Sequence, residues 1–404
     1  MRLKDICELN PSYVGDSVDE VSFVPMECLR YDKIIPQSIS FKEAIGKYTA
    51  FADGDILMAK VTPCFENGNL AIASDLENGI GFGSSEIFVL RVNKKVNNRF
   101  LFYFIQSQKF REEACSTMCG VGGLKRIQPL FMRTYELDLP DKSIQEKIVS
   151  YLDKETEEID QKIGLLNRQR EAYERLKKTT INHVVTRGLD PNVQLKNPNL
   201  PFIGQIPKDW EVKRVKDICT YVSRGTTPDY VYESPFKVMN QATFSKGYID
   251  SSLIRFTASG SKDAQIIYGD LLMASTGGGV LGKLLYFDST DSSFYADSHV
   301  TILRNSKNPL ITKFLFFYFS TRYEEINQTL VKGSTNQTEL QRNYLLNYEL
   351  PLPRTEELLA IVDYLEKRLS AINVKIETIN KLIDAYKRLK RSLINEVITG
   401  KRKI

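Results

Sequence analysis

The chain has 404 residues, a formal net charge of +5 and a hydrophobic content of 42%, which is enough for two or more domains with their own cores. Its charged fraction of 26% excludes a disordered chain, and the modest positive charge permits a polyanionic partner without requiring one. Six cysteines and two histidines are scattered along the chain, which excludes the clustered ligands of a zinc site and favours reduced thiols.

The first residues, MRLKDICELN, are polar, so we expect no signal peptide. The longest apolar runs, FLFYFI and FLFFYF, are too short to span a bilayer. We therefore expect a cytoplasmic protein without a membrane partner.

Residues 1–140 mix short β-type runs with turn signals. The triplet Asp53-Gly54-Asp55 is a turn signal that precedes the apolar strand ILMAKV, and the later stretch FLFYFIQSQKF is typical of a helix. This order predicts a mixed α/β domain. Residues 141–188 then form one long helix without an internal proline. Its apolar positions recur at the spacings of a coiled-coil seam, and they are Ile148, Leu152, Ile159, Ile163, Leu166, Tyr173, Leu176, Ile181 and Val184.

The length of this helix bears on what covers its seam. The helix is about 60 Å long, whereas a globule of ~140 residues has a radius of gyration of about 14 Å. Packing on its own domain would leave much of the seam uncovered, so we favour pairing with a second long helix.

Residues 189–205 carry proline, glycine and asparagine turn signals and are predicted to be a linker. The chain then repeats itself, as a domain over 206–353 and a helix over 354–404. LKDIC returns as VKDIC, FADGDILMAKV as IIYGDLLMAST, and RFLFYFIQSQKF as KFLFFYFSTRYE. Between 148–188 and 361–401, 18 of 41 positions are identical without a gap. The seam of the first helix returns 213 residues later as Ile361, Leu365, Ile372, Ile376, Ile379, Tyr386, Leu389, Ile394 and Val397. A repeat this long indicates a duplicated domain and not a solenoid.

The predicted fold class is therefore a duplicated α/β (α+β) fold. Two mixed globular domains are joined by two long antiparallel coiled-coil helices, and pseudo-twofold symmetry follows if each helix leaves its domain in the same way.

Catalytic motifs are missing from this framework. The segment STGGGVLGKLL contains G-x-x-x-x-G-K, but Leu284 follows the lysine where a P-loop needs Ser or Thr, and LLYFD is typical of a strand where a P-loop needs a helix. A glycine-rich hairpin tip is therefore favoured over a nucleotide site. The chain also lacks the motifs of amino methylation, so we predict no catalytic residues, no metal ligands and no cofactor.

Polar loops offer groups that bind phosphates and base edges. They are SRGTTPDY, the tip STGGG, VGGLKRIQ and its relative VKGSTNQTEL, and each taken alone is more often a solvated turn. The framework repeats while the tips do not, since Lys60 aligns with Ser275 and Val61 with Thr276. Two domains with different targets would produce this pattern. The candidate DNA-binding residues are Lys60, Thr62, Lys125, Arg126, Arg224, Thr226, Thr227, Ser275 and Thr276.

Basic residues also cluster near the C-terminal end of each long helix, among them Lys177 and Lys178 in the first and Lys390 and Arg391 in the second. Positive charge there is favourable through the helix dipole. A docking face for partners or for the DNA backbone is the functional alternative.

Several motifs together resemble specificity subunits of type I restriction–modification systems. They are LPFIGQIPKDWEVKRVKDI, AKVTPCFENGNLAI with GFGSSEIFVLR, the tip STGGGVLGK, the tail ELPLP and the long helix that ends in VITGK. The resemblance covers essentially the whole chain, twice. The usual Glu-Gln after the proline tail is Ile144-Gln145 in the first repeat and Glu357-Leu358 in the second.

The resemblance implies a non-catalytic subunit with two target recognition domains, each of which recognises one half of a bipartite double-stranded DNA sequence. It implies that the helices fix the gap between the halves, that methyltransferase subunits, two of them, dock beside the helices, and that restriction (translocase) subunits join later. S-adenosylmethionine, ATP and magnesium would belong to those partners. The alternatives are a stand-alone nuclease or methyltransferase, and a coiled-coil adaptor that binds only protein.

Overall fold

The computed structural model describes residues 1–121, 123–200, 202–277, 279–332 and 338–404. The chain divides into two compact units, unit 1 (Met1–Asn167 with Asn380–Ile404) and unit 2 (Arg168–Ile379). Both divisions fall inside a long helix, so each unit contains a globular part and one segment of each long helix.

The globular part of unit 1 contains twelve short strands and four short helices within its described residues, and the first long helix follows them. The strands are β1 (Cys7–Leu9), β2 (Glu20–Val24), β3 (Leu29–Arg30), β4 (Lys33–Ile34), β5 (Gln37–Ser40), β6 (Thr49–Ala52), β7 (Ile56–Ala59), β8 (Leu70–Ile72), β9 (Ile80–Gly83), β10 (Ile87–Val92), β11 (Cys119–Val121) and β12 (Leu124–Arg126). The helices are α1 (Phe41–Ala44), α2 (Asn98–Ile105), α3 (Gln108–Ser116), α4 (Pro129–Thr134) and the long α5 (Lys142–Arg187).

The globular part of unit 2 contains fourteen short strands and five short α-helices within its described residues. Its strands are β13 (Leu195–Lys196), β14 (Ile206–Pro207), β15 (Glu211–Arg214), β16 (Tyr221–Arg224), β17 (Tyr230–Val231), β18 (Lys237–Met239), β19 (Arg255–Thr257), β20 (Leu271–Ala274), β21 (Leu284–Tyr286), β22 (Phe294–Ala296), β23 (Val300–Arg304), β24 (Val331–Lys332), β25 (Glu339–Leu340) and β26 (Glu349–Leu352). Its helices are α6 (Val215–Ile218), α7 (Gln241–Phe244), α8 (Pro309–Ser320), α9 (Tyr323–Thr329), α10 (Arg342–Asn347) and the long α11 (Thr355–Ile398).

Each unit contains two four-stranded sheets, one antiparallel and one mixed, and the antiparallel sheet has the same topology in both units. The antiparallel sheet has the order β1-β10-β7-β8 in unit 1 and β16-β23-β20-β21 in unit 2. The mixed sheet has the order β5-β2-β9-β6 in unit 1 and β17-β19-β18-β22 in unit 2. Each contains one parallel pair, but β2 with β9 lies at the centre of its sheet, whereas β18 with β22 lies at the edge. The prediction of a duplicated, mixed α/β fold is confirmed.

The central strands are apolar throughout because both faces of the antiparallel sheet are buried. In β7, Met58 points into a core shared with α2, α3 and the long helices, while its neighbour Leu57 points into a second core that includes Phe51 of the mixed sheet. In β20, Met273 and Leu272 divide in the same way between two cores. The period of two that separates the faces of a strand therefore produces an uninterrupted apolar run here.

The last aspartate of each Asp-Gly-Asp or Tyr-Gly-Asp turn is buried, and its ion pair with an arginine is repeated atom for atom. Arg91 donates from Nε and Nη2 to the two carboxylate oxygens of Asp55 at 3.0 and 2.7 Å, and Arg304 donates likewise to Asp270, at 2.7 Å for both bonds. Gly54 and Gly269 make these tight turns possible, since their φ values of +90° and +91° favour glycine. The duplication thus preserves a bidentate contact as well as a chain path.

The two long helices pair within each unit. In unit 1, Asp160 of α5 lies 2.6 Å from the Nζ of Lys390 in α11. In unit 2, the Nζ of Lys177 in α5 donates to the Oδ1 of Asn373 in α11 at 2.9 Å, and Lys375 lies 5.4 Å from the ring centroid of Tyr173. Residue numbers rise along one helix as they fall along the other, so the segments in unit 2 are antiparallel.

Most of the predicted seam is buried or half-buried. The exceptions are Leu176, whose side chain is 39% exposed, and its counterpart Leu389, which is 52% exposed. The sequence pattern was wrong at both positions, because they lie on the outer side of a helix whose inner face is already filled by Ile181 and Ile394 and their neighbours.

The single tryptophan explains why the Glu-Gln pair differs between the repeats. Trp210 is fully buried in unit 2, and its Nε1 donates to the Oε2 of Glu357 at 2.8 Å. Ile144 occupies the position of Glu357 in unit 1 and is 46% exposed. The next residue, Gln145, is fully buried there, and its amide accepts a bond from the backbone N–H of Asn97. Each repeat therefore keeps the member of the pair that has a partner.

Candidate nucleic-acid interface

The predicted residues of unit 1 gather where β7 ends and β10 begins. Ala59 pairs with Ile87 across these strands, and Lys60 follows directly. The N–H of Lys60 donates to the carbonyl of Glu86 at 3.0 Å, and its own carbonyl accepts from Ile127 at 2.9 Å. Lys60 is half-buried, and its Nζ lies 5.4 Å from the ring centroid of Phe88. Main-chain bonds therefore fix the base of this side chain and leave its charge available.

Thr62 joins this edge to the hairpin β11–β12. Its side chain is buried, and its hydroxyl donates to the carbonyl of Gly123 at 2.8 Å and accepts from the N–H of Lys125 at 2.9 Å. Both hydrogen-bonding capacities of the hydroxyl serve the hairpin. In this geometry Thr62 positions Lys125, which is itself exposed.

Arg126 completes the edge of unit 1. It pairs with Val61 in an antiparallel bridge, and its guanidinium makes a bidentate contact with Glu86 at 2.8 and 2.9 Å. The hydrogen bond from Arg126 lowers the pKa of Glu86. The carboxylate of Glu86 therefore stays ionised and holds the arginine against the hairpin.

The predicted residues of unit 2 gather at the matching edge, where β16 and β20 end and β23 begins. Arg224 pairs with Thr301 across the sheet, and its guanidinium contacts the carboxylate of Glu339 and donates to the carbonyl of Leu340 at 2.9 Å. The backbone of Glu339 forms an antiparallel β-bridge with Thr276, as that of Arg126 does with Val61 in unit 1. A hairpin thus closes the edge in both units, β24–β25 here and β11–β12 in unit 1.

Ser275 and Thr276 differ in exposure although they are adjacent. Ser275 is fully buried, and its hydroxyl lies 2.6 Å from that of Thr301. Thr276 is half-buried, and its hydroxyl lies 2.9 Å from Nδ1 of His299 and 3.3 Å from Oε1 of Gln241. The three polar side chains of Thr276, His299 and Gln241 form one hydrogen-bonded cluster at the edge.

Thr226 and Thr227 are both exposed and lie beside a small cavity. Thr226 forms a parallel bridge with Asp297 and donates its N–H to the carbonyl of Ala296 at 3.2 Å. The cavity has a volume of about 250 Å³, and the hydroxyl-bearing residues Thr257, Ser259, Ser261 and Tyr295 are among those that line it. Such a surface offers both donors and acceptors to a polar ligand.

Four residues of these edges were not predicted from the sequence: Glu86, His299, Gln241 and Glu339. Glu86 and His299 occupy the same position, one residue before β10 and one before β23, and each accepts a backbone bond from the residue after the opposing strand. Aligning GFGSSEIFVLR with FYADSHVTILR would have paired them. Gln241 and Glu339 carry no comparable signal.

The part of the chain that the structure describes contains no group of three or more His, Cys, Asp or Glu residues that could hold a metal ion. No helix among the described residues is long and apolar enough to cross a membrane. The P-loop-like segment leads into the strand β21 rather than a helix, as its sequence predicted. Gly278 of that tip, Gly122 of VGGLKRIQ and residues 333–337 of VKGSTNQTEL lie outside the described residues.

Comparison with known proteins gives matches over both repeats. A family model described as "Type I restriction modification DNA specificity domain" matches residues 1–168 and 207–384. The chain is 37% identical to the type I restriction enzyme EcoEI specificity subunit of Escherichia coli over 157 residues, which cover 38% of this chain and 26% of that protein. It is 25% identical to the MjaVIII specificity subunit of Methanocaldococcus jannaschii over 321 residues, which cover 76% of this chain and 71% of that one.

The matched region spans about a quarter of the length of the Escherichia coli relatives. Among solved structures, one titled for complex assembly and conformational transition of the type I R-M system superposes with a TM-score of 0.76 at 17% identity, covering 98% of this chain and 96% of that one. The HsdS subunit from Thermoanaerobacter tengcongensis superposes with a TM-score of 0.51 at 18% identity, covering 100% and 96%. At such identities the likeness concerns the fold.

Proposed function

This chain belongs to the family of type I restriction modification DNA specificity proteins, and from that premise we propose that it is the sequence-specific DNA-recognition subunit of a type I restriction–modification complex. Each globular domain recognises one half of a bipartite double-stranded target. The paired helices fix the gap between the halves and dock methyltransferase subunits, and restriction subunits join that assembly. The complex acts in the cytoplasm, where the genomic DNA lies.

One observation carries this proposal: two sheets of the same topology end in polar edges of different chemistry. In unit 1 the edge presents Lys60, Lys125 and the pair of Arg126 with Glu86. In unit 2 the matching edge presents Arg224 with Glu339 and the cluster around Thr276. A scaffold kept twice with different polar groups at its edge suits two domains that recognise different base sequences.

The residues divide by exposure into two proposed roles. Lys60, Lys125, Arg126, Arg224, Thr226, Thr227 and Thr276 are exposed or half-buried, and these side chains would contact DNA. Thr62 and Ser275 are buried, so we assign them the positioning of the hairpin and of β20. To the exposed set we add Gln241 and His299, because a side-chain amide pairs well with adenine in the major groove and the cluster fixes the orientation of that amide.

The chain contributes recognition, and its partners contribute chemistry. S-adenosylmethionine, ATP and magnesium would be bound by the methyltransferase and restriction subunits. We propose that domains 1–140 and 206–353, helices 141–188 and 354–404, and linker 189–205 are the functional divisions of the chain. The compact units cut across these divisions, since each unit takes a segment of both helices.

Genome-wide mapping of methylated bases tests this function. Cells that express the chain with its cognate methyltransferase subunit should carry methylation at two short specific blocks separated by a fixed gap. That methylation should vanish when the chain alone is deleted. Methylation that survives the deletion would overturn the proposal. As a control for a stand-alone enzyme, the purified chain with magnesium or S-adenosylmethionine should leave a plasmid library unmodified.

A further inference from the structure

Three polar side chains at the edge of unit 2 form a chain of hydrogen bonds whose direction follows from what each atom can donate. The Oε1 of Gln241 can only accept, so the hydroxyl of Thr276, 3.3 Å away, donates its proton to it. That hydroxyl has no second proton, so it accepts the bond that joins it to Nδ1 of His299 at 2.9 Å. Nδ1 therefore carries the ring proton. We call this chain of bonds, from His299 through Thr276 to Gln241, the relay.

The relay leaves one nitrogen at each end for a ligand, and the two nitrogens are of opposite kinds. With its proton on Nδ1, a neutral imidazole has an unprotonated Nε2, which accepts. The amide of Gln241 uses its oxygen inside the relay and keeps the two N–H donors of its nitrogen. Neither outer nitrogen is bonded to another described residue, and His299 is exposed. The relay therefore presents an acceptor on His299 and a donor on Gln241.

Main-chain hydrogen bonds hold the three parts of the chain that carry the relay. The N–H of His299 donates to Oδ1 of Asp297 at 2.9 Å. The N–H of Asp297 donates to the carbonyl of Met239, two residues before Gln241, at 3.1 Å. Ser275, directly after β20, donates its N–H to the carbonyl of His299 at 2.8 Å. The loop before β23 is thus tied to the ends of β18 and β20, which preorganises the relay for contact with a ligand.

The same three places in unit 1 carry no relay. Met26, Val61 and Glu86 stand there in place of Gln241, Thr276 and His299. Val61 is buried and has no hydroxyl, and the carboxylate of Glu86 is engaged by Arg126. The fold therefore forms without these hydrogen bonds, so the needs of the fold do not explain the relay of unit 2.

The acceptor end of the relay restricts what unit 2 can contact in DNA. In the major groove, N7 and O6 of guanine, N7 of adenine and O4 of thymine are all acceptors. The donors there are the N6 amine of adenine and the N4 amine of cytosine. The Nε2 of His299 can therefore bond to a base edge only through one of these amines. The donor end on Gln241 suits the acceptors that lie beside them.

We propose that the relay is a specificity determinant of unit 2, in which His299 recognises the exocyclic amine of an adenine or a cytosine and Thr276 positions the ring proton on Nδ1. This inference rests on the proposed function and adds the base chemistry that unit 2 requires. Without the hydroxyl, Nδ1 loses its partner, and the imidazole can present either a donor or an acceptor at Nε2. Unit 1, with Val61 at this place, has no such requirement.

The position of the ring proton tests the relay without DNA. The chain has two histidines, so labelling with 15N-histidine gives NMR signals from His299 and, as an internal control, from His183. At pH 8, where histidine side chains are ordinarily neutral, we expect the proton of His299 on Nδ1 in the full-length chain. Thr276→Val should move part of the proton population to Nε2 and leave His183 unchanged. A wild-type chain with this proton on Nε2 would overturn the inference.

Base analogues test the amine contact in the complex of the chain with its methyltransferase subunit, on the target that methylation mapping supplies. Each adenine of the unit 2 half-site is replaced in turn by purine, and each cytosine by 2-pyrimidinone, because these bases lack the amine. At one position, we expect the wild-type complex to bind the analogue about tenfold more weakly. Thr276→Val should bind the unmodified target more weakly and lose most of this discrimination. Fluorescence anisotropy at pH 8 measures each affinity.

Two controls separate the relay from a general loss of binding. Thr290→Val should behave as the wild type, because Thr290 is exposed in the loop after β21, near the start of β20 and away from the edge. Analogues in the unit 1 half-site should affect the wild type and Thr276→Val alike. Thr276→Val is expected to fold, since unit 1 has a valine at the same place.

The outcomes distinguish the inference from the function on which it rests. Unchanged discrimination by Thr276→Val at every position of the unit 2 half-site would overturn the inference and leave the proposed function intact. A wild-type complex without sequence preference would overturn the proposed function together with the amine contact. In that case the position of the ring proton would still show whether the relay exists.

Discussion

Arg126 and Glu339 occupy the same place in the two units, yet they carry opposite charges. Each lies on the second strand of the hairpin that closes the edge. Each forms an antiparallel bridge with the second residue after a central strand, which is Val61 after β7 in unit 1 and Thr276 after β20 in unit 2. The next residue of each hairpin donates its N–H to the carbonyl of Lys60 or Ser275, at 2.9 and 2.8 Å. Because main-chain hydrogen bonds hold the hairpin, the charge of the side chain at this position can differ between the two units.

The charges that oppose them have reversed as well. In unit 1 the acid is Glu86, ahead of β10, and in unit 2 the base is Arg224, at the end of β16. The hairpin is clamped by an ion pair in both units, but the donors and acceptors left for a ligand differ. Backbone geometry and surface chemistry are therefore set by separate groups in this fold.

The buried ion pair of the scaffold should give the largest effect. Asp270→Ala leaves Arg304, whose side chain is 17% exposed, without its carboxylate, and we expect a loss of about 3–5 kcal/mol in the free energy of unfolding of unit 2. Asp55→Ala should cost unit 1 less, because the side chain of Arg91 is 40% exposed and remains partly hydrated. Urea unfolding followed by hydrogen exchange in each unit measures both. Equal losses of unfolding free energy in the two variants would show that the exposure of the arginine does not determine the cost of removing its carboxylate partner.

Loss of the hydrogen bond from Trp210 to Glu357 should have the next largest effect on stability. Trp210→Phe removes the Nε1–H that Glu357 accepts, and losing a hydrogen bond to a charged group should destabilise unit 2 by about 1.5–3 kcal/mol. The matched change in unit 1 is Ile144→Glu, which we expect to alter stability by less than about 0.5 kcal/mol because the position is exposed. Thermal unfolding of both variants checks this. A large change in stability from Ile144→Glu would contradict this, because it would mean that the start of α5 holds a glutamate as the start of α11 does.

A change at one polar edge should affect one half-site. Arg224→Ala should weaken recognition by unit 2 by about 1–3 kcal/mol and leave the sequence of the other half-site unchanged. Arg126→Ala should do the reverse. Methylated-base mapping in cells that carry each variant measures the two half-sites at once. A change in both half-sites from one substitution would refute the division of labour between the units.

Lys125 should behave differently from the arginines because it has no acidic partner in the described part of the chain. If it contacts a phosphate, Lys125→Gln should weaken binding to all DNA sequences alike and reduce the slope of log affinity against log salt by about 1. Fluorescence anisotropy over a salt series checks this. An unchanged slope with altered sequence preference would place Lys125 against a base.

The smallest effect concerns thiol chemistry. Cys7 and its counterpart Cys219 are largely buried, and burial raises the pKa of both thiols to about 12. Cys119 is exposed on the hairpin of unit 1, where unit 2 has Lys332. At pH 8 a maleimide should therefore modify Cys119 first, and DNA should protect it. Mass mapping of the labelled peptides measures both. Early modification of Cys7 would contradict the burial of that thiol.

The repeat made much of the fold predictable from sequence. The strands ILMAKV and LLMAST and the helices after them recur in both halves, so each prediction had an internal confirmation. The long helices were predictable because a seam needs only regular spacing. Leu176 and Leu389 failed because spacing alone does not distinguish an inner from an outer apolar position once other residues fill the face.

The polar edges were predictable only in part. Thr62 and Ser275 carry hydroxyls that suggest ligand contacts, but Gly123 and Thr301, far away in sequence, engage those hydroxyls inside the fold. Gln241 lies 35 residues from Thr276, and the two meet only because the start of α7 lies beside the end of β20. Contacts of this kind depend on the path of the chain between them, which residue type and spacing do not encode.

The discontinuous composition of unit 1 has a consequence for protein synthesis. Its core includes Leu393, Ile394 and Val397, which leave the ribosome after every residue of unit 2. Unit 2 is one uninterrupted segment, Arg168–Ile379, and is complete earlier. The usual vectorial order, in which N-terminal parts of a nascent chain fold first, is therefore reversed for the finished cores. The first residues of unit 1 leave the ribosome before those of unit 2, but the core of unit 1 is the last to be completed.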